Sequence, residues 1–188
     1  MRRKCRTIVQ KAKQLGWAGP PFDPEILASL SGIKVEETAE DFDGEGRIFP
    51  RRGEIVIQYK SGVMIERQRF TICHELAHTC FPDAFEFIRN QNQASEIDTA
   101  NRKFENLCDI GAAEFLMPYD DFLSDLNAAF ISMHRIDQLK ERYIASIDAT
   151  VRRALDMTSH TFGRCCQIQC SLGFHCIHGI WPFNDVAG

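Results

Sequence analysis

His74-Glu75-Leu76-Ala77-His78 is the sharpest chemical feature of this chain. If the segment is helical, positions i and i+4 lie one above the other, about 5–6 Å apart. Two imidazoles so placed can reach one Zn²⁺ at about 2.0–2.1 Å. Glu75 projects at an adjacent angle, where a carboxylate can deprotonate a water held by the ion. Chance produces such a pattern in on the order of one chain in a hundred of this composition. A catalytic zinc takes three protein ligands and keeps one position for water, so a third ligand must come from elsewhere. Glu105 and Asp109 form a second i, i+4 pair. Glu105 offers the third ligand, and Asp109 offers an acceptor for the free ring N–H of a metal-bound histidine. Glu114 is the rival third ligand; its other reading is a structural ion pair.

These residues need two helices to carry them. Apolar spacing and Pro82 just beyond predict a helix over 67–80. Apolar positions 104, 107, 108, 112, 115 and 116 predict a second over 101–116, which Pro118 ends. Around them, helices are expected at 5–15, at 24–30 (capped by Asp23 with Pro24 at its first position), at 119–130, at 136–144 and at 147–155, the last capped by Ser146. Ile33–Glu36 reads as a strand and 39–46 as an acidic loop. Segments 47–49 and 54–59 read as a β-hairpin. Residues 89–100 are polar and read as loop or irregular helix, and Cys165–Leu172 reads as a late strand. The expected class is α+β, with helices packed on a small sheet or hairpin. Residues 1–160 are expected to form one domain, with 161–188 as a tail packed on it.

Other residues have chemistry by type but not by pattern. Tyr119, His134 and His160 could each supply a further oxyanion donor, and nothing in the sequence selects one. Cys73, beside His74, suggests a redox switch, but packing inward is the simpler reading. The tail carries Cys165, Cys166, Cys170, His175, Cys176 and His178. A second zinc there is disfavoured, because no C-x-x-C pair is present. Arg152-Arg153 and Arg2-Arg3-Lys4 have no aromatic partner nearby in sequence and read as solvated faces; for one of Arg152 and Arg153 a role in packing is the other reading.

Composition bounds the function. The chain has 188 residues, 44% hydrophobic and 26% charged, as expected for a globular domain. Twenty-two Lys+Arg against 26 Asp+Glu give a net charge of −4, which argues against direct nucleic-acid binding through phosphates. The uncharged stretch Cys165–Asn184 holds polar residues, glycines and a proline, so no membrane span is expected. No apolar run follows the basic start. A cytoplasmic protein with eight reduced cysteines is therefore expected.

Arg69-Phe70-Thr71-Ile72-Cys73-His74-Glu75-Leu76-Ala77-His78, with Glu105-x-x-Cys108-Asp109-x-x-Ala112-Ala113-Glu114-Phe115-Leu116-Met117-Pro118, resembles the ImmA/IrrE metallopeptidases. The resemblance covers about residues 20–155. It implies a zincin-like core, zinc on His74, His78 and Glu105, and Glu75 as general base. It also implies a protein substrate, a helix-turn-helix transcriptional repressor. Two departures stand out: Gly111 replaces a bulky apolar residue, commonly Phe, and the Cys-rich tail lies outside the pattern. The alternative function is a zinc-containing module that sequesters a regulator without cutting it. The intact Glu75 discriminates, since a structural site has no use for it.

Overall fold

The computed structural model describes residues 1–81 and 98–161. Among them are helices α1 (Arg2–Gln14), α2 (Pro24–Leu30), α3 (Ile65–His78), α4 (Asp98–Leu116), α5 (Tyr119–Asn127), α6 (Met133–Tyr143) and α7 (Ile147–Thr161). The strands are β1 (Ile33–Thr38), β2 (Gly46–Arg51) and β3 (Glu54–Lys60). The fold is α+β.

Local chemistry sets several of these boundaries. The Asp23 carboxylate accepts from the Glu25 and Ile26 amides at 2.8 and 3.3 Å, and Pro24 follows at the first helical position. Ser132 and Ser146 cap α6 and α7 in the same way, accepting from the amides of Arg135 and Ala149. Arg52 and Gly53 both take positive φ, 52° and 87°. Two such residues in succession make the tight turn whose twist suits a β-hairpin.

The three strands form one mixed sheet in the order β1-β3-β2. β2 pairs antiparallel with β3, from Gly46 opposite Tyr59 to Arg51 opposite Glu54. β1 pairs parallel with β3, from Ile33 opposite Ile55 to Thr38 opposite Lys60. The central strand buries Val56, Ile57 and Tyr59.

α3 packs on β2, β3 and α2 and runs alongside α4. Its buried face, Ile72, Cys73, Leu76 and Ala77, leaves Phe70 and His74 half-exposed. Cys73, Leu76 and Ala77 join Cys108, Ala112, Phe115 and Leu116 of α4 in the core. Small residues allow the close approach. A Cβ at Gly111 would stand 2.8 Å from Ala77 Cβ and 2.7 Å from Met1 Cε. α1 also packs on α4, so Met1 and Cys5 occupy the volume that a bulky residue at 111 would need. Arg69 ties α3 to the rest of the fold. It is buried and donates to the Phe22 carbonyl at 2.7 Å and the Tyr143 carbonyl at 3.4 Å.

Several expectations need correction. Arg152 does lie exposed, paired with Asp148 at 2.8 Å, but Arg153 faces the core. It donates to the Met117 carbonyl at 3.0 and 2.8 Å and stands 2.9 Å from Glu114 Oε2. On a helix, adjacent residues point about 100° apart; the face of α7 carrying Ala154 and Met157 inward takes Arg153 with it. The basic start is not simply solvated either. Arg2 pairs with Asp156 at 2.6 Å and Lys4 donates to the Cys80 carbonyl at 3.0 Å. Helix ends also shift: α1 and α4 begin three residues early, α3 spans 65–78, α5 stops at Asn127 and α7 continues to Thr161. The polar stretch is therefore helical at 98–100. Residues 89–97, the expected strand Cys165–Leu172, the rest of the tail and the His160 side chain lie outside the described residues. Among the described residues no helix is long and apolar enough to cross a membrane.

Candidate metal centre

α3 and α4 bring the charged residues together. His74 and His78 lie along one face of α3, edge to face, with ring centroids 5.0 Å apart. Glu105 arrives from α4. Its Oε2 lies 3.0 Å from His74 Nε2 and 3.9 Å from His78 Nε2. Donors set tetrahedrally at about 2.0–2.1 Å around a zinc stand roughly 3.3–3.4 Å from one another, and these two separations straddle that value. Glu105 is thus close enough to each histidine to share an ion with it. Glu75 is close as well: ligand atoms of His74, Glu75 and His78 all lie within 4.8 Å of one another.

Each imidazole is oriented through its far nitrogen. His74 Nδ1 lies 2.9 Å from Asp109 Oδ1, so a proton on Nδ1 leaves Nε2 facing Glu105. His78 Nδ1 lies 3.5 Å from Cys108 Sγ, a contact that holds the second ring by the same nitrogen. Such outer partners fix ring orientation and raise ligand basicity. Phe104 flanks His78 with ring centroids 5.2 Å apart, and Phe70 flanks His74 at 6.3 Å. The side chains of Glu105 and Asp109 are 40% and 53% exposed, which leaves that side of the site open.

Ionisation follows the geometry. Burial works to lower His74, but its hydrogen bonds to Asp109 and Glu105 win and hold it up at about 9. Burial and then the charge of His74 press His78 down to about 4. Burial pushes Glu75 up to about 7, with His74 opposing and Glu105 adding to the rise.

The structure thus gathers His74, Glu75, His78, Glu105 and Asp109. It places Glu114 elsewhere. That carboxylate is fully buried between Arg6, Arg153 and the Tyr119 amide, which is the ion-pair reading. The pair with Arg153 is a charge contact rather than an aligned hydrogen bond. Tyr119 lies under the Arg6 guanidinium, 3.8 Å from its ring centre, and His134 pairs with Gln138 on the exposed side of α6. Cys73 is buried, and burial pushes its thiol up to about 12, so inward packing is what is observed.

Gly46 was missed by the sequence reading. A Cβ there would fall 2.4 Å from Thr71 Cγ2 and 3.1 Å from both Glu75 Cγ and Glu75 Oε1. The first residue of β2 therefore lies against the carboxylate of α3. Only a glycine lets the backbone come this close. In sequence it stands at the end of a glycine-containing acidic loop, and no local signal shows that a helix will lie across it.

Residues 28–155 match the peptidase family described as the IrrE N-terminal-like domain. The chain belongs to this family. Among its relatives is the radiation response metalloprotease IrrE of Deinococcus deserti, 38% identical over 72 residues, which are 37% of this chain and 26% of that protein. The protein of the same description from Deinococcus radiodurans is 32% identical over 93 residues, 50% of this chain and 27% of the relative. The IrrE-like chain thus spans about a quarter of these relatives' length. A Mycobacterium tuberculosis transcriptional regulator shares the fold, with a TM-score of 0.59 and 20% identity over 81% of this chain and 46% of the other.

Proposed function

We propose that this IrrE-like chain is a zinc-dependent endopeptidase that cuts a helix-turn-helix transcriptional repressor. The observation that carries the reading is the convergence of His74 Nε2, His78 Nε2 and Glu105 Oε2 from two helices, with Glu75 within reach of both imidazoles. Membership of a peptidase family supports the reaction class, and the resemblance to the ImmA/IrrE metallopeptidases supports the substrate class.

His74, His78 and Glu105 would hold the ion, which when bound polarises a peptide carbonyl and acidifies water. Asp109 and Cys108 keep the two imidazoles turned so that Nε2 faces inward. Glu75 accepts the proton of the attacking water and delivers it to the departing amine nitrogen. Gly46 keeps the space beside the Glu75 carboxylate clear of a side chain.

The test compares the purified wild-type chain with Glu75→Gln, each loaded with zinc and incubated with a helix-turn-helix repressor. The wild type is expected to cleave and to stop when chelator is added. Glu75→Gln is expected to keep its zinc and to cleave about 10²–10⁴-fold more slowly. Equal cleavage by both proteins removes Glu75 from its role. Stable repressor binding by the wild type without any cleavage replaces the peptidase with the sequestering module.

A further inference from the structure

Cys5, Cys73, Cys80 and Cys108 are free thiols. Cys73 faces the core and Cys108 faces His78. The other two meet across the fold. Cys5 Sγ, on α1, stands 3.8 Å from Cys80 Sγ, just beyond the end of α3, although 75 positions separate them in sequence. Peptide hydrolysis at the metal centre has no use for either thiol.

We propose that Cys5 and Cys80 form an oxidation site, closed into an intramolecular disulfide by a hydroperoxide. An S–S bond needs about 2.0 Å, so the sulfurs must approach by roughly 1.8 Å, a distance that side-chain rotation and a small helix shift cover. Lys4 Nζ, bonded to the Cys80 carbonyl at 3.0 Å, already holds α1 against this end of α3. Access is graded. Cys80 is 8% exposed and Cys5 is 0% exposed, so the oxidant meets Cys80 first.

The chemistry balances in two steps. The Cys80 sulfur attacks one peroxide oxygen, the O–O bond breaks, and a sulfenic acid forms as water leaves. The Cys5 sulfur then attacks the sulfenic sulfur, the S–O bond breaks, a second water leaves and the S–S bond forms. Two thiols lose two electrons and two protons in total, and hydrogen peroxide becomes two waters. Because Cys5 waits within contact, the sulfenic acid is trapped before it oxidises further. In a reducing compartment such a bond is transient and reversible. It would staple α1, which covers Gly111, to the residue two positions past His78.

The experiment uses the 188-residue chain, reduced and zinc-loaded, treated with a slight excess of hydrogen peroxide, alkylated and digested without reductant. A peptide joining Cys5 to Cys80, loss of two alkylatable thiols and an upward shift of the urea midpoint that reductant reverses are expected. Cys5→Ser should instead leave a sulfenic acid on Cys80 that a dimedone probe captures. Should that variant fail to fold, the wild-type linkage map decides alone. Persistent alkylation of both thiols after peroxide overturns the proposal, as does a link from either one to Cys165, Cys166, Cys170 or Cys176.

Discussion

At the scale of single residues, the proposed metal would compete with a proton for His74 Nε2. Without metal, the hydrogen bonds to Asp109 and Glu105 outweigh burial and hold this histidine at about 9 against an ordinary 6.5. A raised folded value stabilises the metal-free chain fully below pH 6.5 and ceases to do so as pH rises through about 9. Metal needs the neutral ring, so the sign is opposite for loading. Zinc affinity should rise from pH 6.5 to about 9 and then level off, and loading at pH 7 should release a proton. Calorimetric titrations in buffers of different ionisation enthalpy measure that release; a value of zero at pH 7 contradicts the assignment. Gly46 gives a second residue-scale expectation. Ala at 46 would crowd Thr71 and Glu75, displacing the base without touching a metal ligand. Gly46→Ala should lower kcat for repressor cleavage roughly 10–100-fold and leave zinc affinity unchanged. Equal losses in affinity and turnover would show instead that the whole site had moved.

At the scale of elements, α4 carries two carboxylates, Glu105 and Glu114, that do opposite things. Nine residues apart, they lie two and a half turns along the helix, on different faces. One face meets the histidines of α3; the other meets Arg6 of α1 and Arg153 of α7. Glu105→Ala should weaken zinc binding by more than about 100-fold, beyond what loss of an outer partner costs, and should cost the metal-free chain less than Glu114→Ala does, because His74 keeps its hydrogen bond to Asp109. Glu114→Ala should leave zinc affinity within a few fold and cost about 3–5 kcal/mol, because Arg153 would stay buried with only the more distant, partly exposed Asp156, 3.7 Å away, as counter-charge. Zinc titration and urea unfolding of the metal-free variants separate the two, and an exchange of these phenotypes would reverse the ligand assignment. The helix faces follow from 3.6 periodicity, so the sequence could show that Glu105 and Asp109 share a side. It could not show which side meets α3.

At the scale of the whole molecule, α1 closes the core over Gly111. In a solvent-facing helix, replacing glycine by alanine gains about 1 kcal/mol. Here the added methyl meets Ala77 Cβ at 2.8 Å and Met1 Cε at 2.7 Å. The methionine tip can move aside, but Ala77 is fixed on α3. Overpacking of this kind costs about 1–3 kcal/mol, so Gly111→Ala should be net destabilising in urea; a stabilised variant would mean that α1 does not sit there. The residues legible in advance were those whose spacing lies within one helix: His74, Glu75 and His78 on α3, and Glu105 and Asp109 on α4. Caps were equally legible, at Asp23 and Ser146, because a cap uses only its neighbours' amides. Pairings between distant segments were not. The parallel pairing of β1 with β3, the inward turn of Arg153 and the approach of Gly46 to Glu75 each depend on which surfaces meet. Sequence by itself determined the residue types and their local periodicity, hence which side chains share a helix face. Only the tertiary structure decided which faces oppose one another, since burial of apolar surface is non-directional and selects partners through the packing of the entire core.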